Sequence, residues 1–484
     1  MVKRGVKGGR LRYITEEEAE AIHVATLEVL EKVGVNCQSE RIMRIFKDAG
    51  ADVDEKNKIV RIPQHLVEEA IARAPRCVIL CGRNPKNDIL LEGTRIYFGM
   101  GGTPTPYILD IETGKFRRPT KKDFIDATRV GDALPNLHFL MTIAGAFDVP
   151  YQVEYLHEFE VLFNYTEKPI IYACPGADGA RRVLEMASIV VGGIDELRKR
   201  PIFSLYCEPI SPIILSEENE NIIEFAKEKI PITLGPMPLL GATAPITVAG
   251  TAVIGNADSL AAITLAQLVN PGAPIMYAGW GGPMDPKTGR CAYGSPEFTM
   301  ITAGINAAMA QYYGIPCFGF GGCSDSKAPD AQAGAEVMMN ALMSGLTGIN
   351  LIHDCGYLAG GSVGSMEMAV ICNEVVGMVE RIVRGPIVDD ESLAVEVIKE
   401  VGPSGHFLSH KHTLKFVNRE IFISELFDRY SEAVWLKRGA KELREVAREK
   451  VKEILKEHWP EPLPKDVREK LSELVKKAEK ELVK

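Results

Sequence analysis

Basic charge is what this sequence has least to spare. Its 56 Lys and Arg residues are outnumbered by 65 Asp and Glu, leaving a formal charge of −9. No face-sized surplus of cations is available to displace counterions, which argues against a nucleic-acid partner. The sequence also lacks an export or membrane signal. Residues 1–12 are basic and Gly-rich with no apolar stretch behind them, and no uncharged apolar run of about 18 residues follows. The longest weakly polar stretch, 242–269, carries Asn256, Asp258 and Gln267 and reads as a buried helix. No membrane contact and a cytoplasmic location are therefore expected. The ten cysteines fall at irregular spacings, several of them inside apolar runs, as in a reduced interior. No glycine-rich dinucleotide fingerprint opens any helix, which removes the usual marker of a Rossmann fold.

What is present is an ordinary globular composition, 46% apolar and 25% charged over 484 residues. Thr15, followed three residues later by Glu18, makes a capping box ahead of the periodic run Ala21, Val24, Leu27, Leu30 and Val33, and Gly34 stops that helix. A second helix is predicted over about 39–49, then short β-like pieces near 60–62, 77–81 and 96–99. From residue 137 the pattern becomes regular. Apolar runs at 139–144, 170–173, 202–207, 232–235, 275–279, 317–321 and 349–353 alternate with helical stretches, the mark of repeated β–α units. An eighth strand comes from 96–99 or from an irregular segment near 405–408. The expected fold is α/β, a (β/α)8 TIM-type barrel, with an N-terminal α/β extension over 1–136, the barrel over 137–400 and a C-terminal helical extension over 401–484. The Lys/Glu-rich terminal stretch is a solvated helix face with ordinary charge pairing.

Barrel active sites are built at the C-terminal ends of the strands, so the residues following each run are the candidates. Tyr277, Trp280, Phe320 and Tyr357 converge on one mouth in this register, with Tyr107 as a lid residue. Converging aromatic faces suit a quaternary ammonium ligand, because the ring quadrupole attracts a cation that has no N–H to donate. Glu208, between an apolar strand and a proline, is expected to face that cation. Cys323 and Asp325 are assigned to the pocket wall; Asp325 or Asp330 is alternatively the cap of a helix starting near Pro329. His353 is expected to bind an anionic part of the substrate. His353 with Cys355, completed by Cys372 or Cys323, also has a spacing seen in zinc-dependent thiol methyltransferases. One short pair does not establish a metal, and none is assigned to this chain. His406, His410 and His412 are read as anchoring the C-terminal extension.

Several strings together resemble the trimethylamine methyltransferase family: 101–104 with 107–110, Thr113-Gly114, 120–123, 322–334, 405–413, Phe427-Asp428-Arg429 and the surroundings of Trp435. The resemblance spans most of the chain, and the segment 324–334 is its most specific part. It implies a barrel whose mouth docks a separate corrinoid protein, which accepts a methyl group at Co(I). None of the nine histidines has Asp two residues before it, so the sequence holds no Asp-x-His-x-x-Gly cobalamin ligand and the corrinoid is expected on a partner. Trimethylamine-specific members carry pyrrolysine in the loop that here reads Gly321-Gly322-Cys323-Ser324-Asp325, with Cys323 in its place. The resemblance is thus to the non-pyrrolysine branch, which implies a quaternary amine substrate, glycine betaine or a related betaine. The alternatives are the zinc thiol methyltransferase and a non-catalytic betaine-binding subunit. A homo-oligomer is the expected assembly.

Overall fold

The computed structural model describes residue 2 and residues 4–483. Eight short strands form its centre: β1 (Arg95–Met100), β2 (Phe139–Leu140), β3 (Ile170–Tyr172), β4 (Phe203–Cys207), β5 (Ile232–Leu234), β6 (Ile275–Met276), β7 (Phe318–Phe320) and β8 (Leu351–Cys355). Each pairs in parallel with the next, and β8 pairs back onto β1 through Leu351↔Tyr97 and Ile352↔Phe98. A parallel bridge between Tyr277 and Cys317 joins β6 to β7, so the sheet closes. Nearly every strand residue is buried, because helices cover the outer face while side chains fill the inside. That double burial is why the strands read as continuous apolar runs instead of alternating ones.

The helices that follow the strands are α1 (Lys121–Ala133), α2 (Glu154–Tyr165), α3 (Gly176–Val191), α4 (Glu220–Glu228), α5 (Val248–Val269), α6 (Asn306–Tyr313), α7 (Ala331–Thr347) and α8 (Met366–Arg384). Asp330 caps α7 by accepting from the Ala333 N–H at 3.0 Å. Of the two options for the eighth strand, 96–99 is the one realised, while 405–408 is an exposed turn. The barrel thus opens with β1 and α1, and a division at 136/137 passes through it. Order along the chain hid this, since the first barrel strand is separated from the second by the long segment that contains residues 101–120.

Helix α5 is apolar all round for a structural reason. Its inner face covers the barrel, and its outer face is covered by the N-terminal helices Glu16–Glu28, Glu40–Asp48 and Gln64–Arg73. It is long and apolar enough to cross a membrane by composition, yet 78% of that window lies inside the protein. Its polar residues are satisfied there: Asn256 donates to Thr26 Oγ1 at 2.9 Å and to Tyr313 Oη at 2.8 Å. The first N-terminal helix has the Thr15–Glu18 capping box and ends at Gly34, whose φ of 86° lies in the left-handed region. At the other end of the chain, Leu443–Glu457 lies against α8 and α1, where Glu367 receives Arg444 and Arg448. Lys465–Leu482 lies against α2 and α3.

Candidate active site

Strand β4 delivers Tyr206 and, just past its end, Glu208, two residues apart and so on one face of the extended chain. Strand β8 delivers His353 and Asp354. The long segment after β6 adds Trp280 and Tyr293, the loop after β8 adds Tyr357, and Phe320 closes β7. These side chains, with Met237 and glycines from three loops, line one cavity of about 110 Å³ at the C-terminal mouth of the barrel. A larger groove of about 730 Å³, between Asp390 and Phe416, lies on the exposed C-terminal arm and shares none of these residues.

Two carboxyls face the cavity. Glu208 keeps solvent-accessible surface, yet the protein packed around its carboxyl pushes it above the usual range, against the lowering effect of the Tyr206 hydroxyl. The Tyr206 hydroxyl donates to Glu208 Oε1 at 2.7 Å. The loop beyond Glu208 is fixed by Asp258 of α5, which accepts from Ser211 Oγ at 2.6 Å and from the Ile213 N–H at 2.7 Å. Asp354 is fully buried, and its carboxyl is held well above the ordinary value first by desolvation and then by Glu208. Its φ of 75° is left-handed, rare for a residue with a Cβ and a conformation that surrounding contacts must enforce. A Cβ on Gly102 would lie 2.8 Å from Asp354 Oδ1 and 3.0 Å from the Tyr357 hydroxyl, so only glycine leaves this corner open.

His353 is neutral. Burial drives its pKa down to about 3. Its Nδ1 lies 2.8 Å from the Gly319 carbonyl, which only accepts, so the ring proton sits on Nδ1. Nε2 is then an acceptor facing Asp354 Oδ1 at 3.2 Å, and the one proton between them comes from the protonated carboxyl. The expected anion-binding role for His353 is not supported: its ring carries no charge, and Nε2 is already engaged. The ring instead continues an aromatic wall, with centroids 4.2 Å from Phe318 and 4.5 Å from Phe320, while Trp280 lies 4.4 Å from Phe320. The Trp280 indole N–H is buried with no hydrogen-bond acceptor among the described residues.

Of the predicted site residues, Glu208, Trp280, Phe320, His353 and Tyr357 meet around this cavity. Four others do not line it. Tyr277 points outward between strand and helix, donating to Asn256 Oδ1 at 2.9 Å and meeting Tyr313 edge-on. Tyr107 is exposed on a small sheet formed by the loops after β1 and β8. Cys323 is buried beside Tyr357 in that loop layer, and desolvation raises its thiol well above the usual range. Asp325 accepts from the Gly294 N–H at 2.8 Å and ties the 291–294 loop to the loop after β7.

The zinc arrangement also fails. Asp354 breaks the strand alternation and the register shifts between Ile352 and Cys355, so His353 and Cys355 part company. The Cys355 thiol is hydrogen-bonded with Cys372 of α8. Among the described residues no three His, Cys, Asp or Glu side chains gather as metal ligands. His410 and His412 face Glu400 and the Glu391 carbonyl at 3.0 and 3.3 Å. Sequence reasoning did not single out Tyr206, Tyr293, Met237 or Asp354 as site residues. Tyr206 was recoverable from its spacing to Glu208; Tyr293 sits in a long irregular loop with no periodic signal.

Comparison with known proteins identifies a family. A family model described as Trimethylamine methyltransferase (MTTB) matches residues 3–483. Trimethylamine methyltransferase MttB of Desulfitobacterium hafniense (strain DSM 10664 / DCB-2) is 41% identical over 485 residues, covering 99% of this chain and 97% of the relative. Trimethylamine methyltransferase MttB of Methanosarcina barkeri (strain Fusaro / DSM 804) is 35% identical, covering 98% and 97%. Glycine betaine methyltransferase of Desulfitobacterium hafniense (strain Y51) is 30% identical, covering 97% of each chain.

Proposed function

This chain belongs to the trimethylamine methyltransferase family and is an enzyme of the methyltransferase type, and from that premise we propose that it moves a methyl group from a quaternary ammonium compound to Co(I) of a corrinoid carried by a partner protein. The observation that carries the reading is the cavity itself: aromatic walls, two carboxyls and no Lys or Arg among the lining side chains, at the open end of a barrel.

The proposed acceptor supplies a nucleophile strong enough to take a methyl group, chemistry for which no side chain here substitutes. The residues of this chain bind, orient and dry the donor. Trp280, Phe320, Tyr293 and Tyr357 offer ring faces to the trimethylammonium group, each contact worth roughly 0.5–2 kcal/mol. Glu208, ionised in the presence of the cation, neutralises it. On transfer the nitrogen keeps the electron pair of the broken N–C bond and leaves as a neutral tertiary amine, so no acid–base step is needed. An ion pair with the starting cation favours the ground state and adds no rate by itself, so the gain comes from fixing one methyl group toward the opening.

No element of the chain is assigned to hold cobalamin itself. Homo-oligomerisation is proposed on the exposed Leu408, Leu414, Ile423 and Leu436 of the C-terminal arm, and a cytoplasmic location on the ten unpaired cysteines. The test is anaerobic mixing of the protein with cob(I)alamin and a panel of quaternary and tertiary amines, followed by absorbance. Methylation with a quaternary amine and none with trimethylamine is expected. Tight binding of a quaternary amine without methylation of any acceptor would point instead to a non-catalytic binding subunit.

A further inference from the structure

We propose that the cavity takes a quaternary ammonium cation with an uncharged tail, a choline-like or small tetraalkylammonium ion, and discriminates against betaines, whose tails carry a carboxylate. The inference rests on the quaternary amine reading and narrows its substrate class.

A betaine carboxylate needs either a cationic side chain or a cluster of free backbone N–H groups. Neither is offered. The titratable carboxyls of the lining are Glu208 and Asp354, and the Asp354 carboxyl keeps its proton against His353. Of the cations around the mouth, Arg290 is exposed and hydrogen-bonded to Ser362 Oγ at 3.0 Å, and Lys327 is turned to the Asp325 carbonyl at 2.6 Å. The glycine amides that could form an anion nest are already used. Gly102 N–H donates to the Thr142 carbonyl at 2.9 Å, Gly235 N–H to Cys207 at 3.0 Å and Gly360 N–H to Ser324 at 2.9 Å. The Gly361 N–H is directed to the Cys323 thiol.

Two of the three lining tyrosines are committed. The Tyr206 hydroxyl is committed to Glu208, and that of Tyr357 donates to the Thr103 carbonyl. Two neutral donors are left, the Trp280 indole N–H, which has no acceptor among the described residues, and the Tyr293 hydroxyl. Two neutral donors suit a hydroxyl or ether oxygen; without a cation beside them they are too little to hold a carboxylate that must also approach Glu208. Selection would thus come as much from repulsion of the wrong tail as from attraction of the right head.

The experiment is isothermal titration of the full-length protein with tetramethylammonium, choline, glycine betaine and trimethylamine at pH 8 and fixed ionic strength. Choline or tetramethylammonium binding at least tenfold more tightly than glycine betaine supports the inference. Glycine betaine binding as tightly as choline, or more tightly, overturns it and leaves the quaternary amine reading standing. Binding of none of the quaternary ions overturns both. Methyl transfer to cob(I)alamin from the same panel gives a second readout, in which the rank order of donors is expected to follow the affinities.

Discussion

Replacing Glu208 by Gln removes the charge nearest the proposed cation while keeping an oxygen that accepts from Tyr206. Two unit charges about 5 Å apart at an effective dielectric of about 20 interact by roughly 3 kcal/mol, a factor of roughly a hundred in affinity. Part of this is consumed in ionising a carboxyl that burial has already pushed up. A weakening of tenfold to a hundredfold is therefore expected for choline or tetramethylammonium. The sign with pH follows from the same group. A cation favours the ionised carboxyl, so binding releases a proton and affinity rises with pH, by up to about tenfold per unit, until Glu208 is ionised in the free protein. The groups facing Glu208 are Asp354, Tyr206 and Tyr293; the tyrosines are held protonated far above this window. Titration calorimetry between pH 6 and 9 on wild type, Glu208→Gln and Asp354→Asn separates the two carboxyls. Glu208→Gln should weaken binding and flatten the slope. Unchanged affinity together with an unchanged slope would refute the assignment of Glu208 as counter-ion.

Trp280→Phe keeps an aromatic ring in the wall and should fold, yet weaken ligand binding by threefold to thirtyfold; Trp280→Ala should in addition lower stability by about 3–5 kcal/mol in denaturant melts. Wild-type affinity in Trp280→Phe would remove this residue from the cage. Glu158 is buried where Tyr172 donates to it at 2.8 Å, and its carboxyl is pushed up to about 8 from an ordinary 4.5. Its raised folded-state value means that its stabilising effect is complete below about 4.5 and is lost as pH rises through about 8. Wild type should thus lose on the order of a few kcal/mol relative to Glu158→Gln between pH 5 and 9, at ~1.4 kcal/mol per unit; parallel thermal-melt profiles would contradict this. Cys355→Ala and prolonged chelation should both leave methyl transfer intact, whereas loss of activity accompanied by stoichiometric zinc in the untreated protein would restore the thiol methyltransferase reading.

The sequence by itself determined the elements and their class. Apolar runs buried on both faces, separated by helices, leave a parallel barrel as the economical solution, and the Thr15–Glu18 box, the Gly34 stop and the burial of α5 followed from local chemistry. Legible too were five residues of the cavity, because strand ends in a barrel converge on one mouth whatever the loops do. What only the tertiary structure decided was direction. Tyr277 sits where one bridge to Cys317 turns its ring outward, and Asp354 takes a left-handed conformation that sends His353 and Cys355 to different places, although their spacing puts them on one face of a regular strand. Charge was equally hidden: His353 is neutral because of what surrounds it, and the glycine amides are unavailable to an anion because of bonds formed with distant carbonyls. Burial and long-range hydrogen bonds have no local signature, since each depends on residues tens to hundreds of positions away.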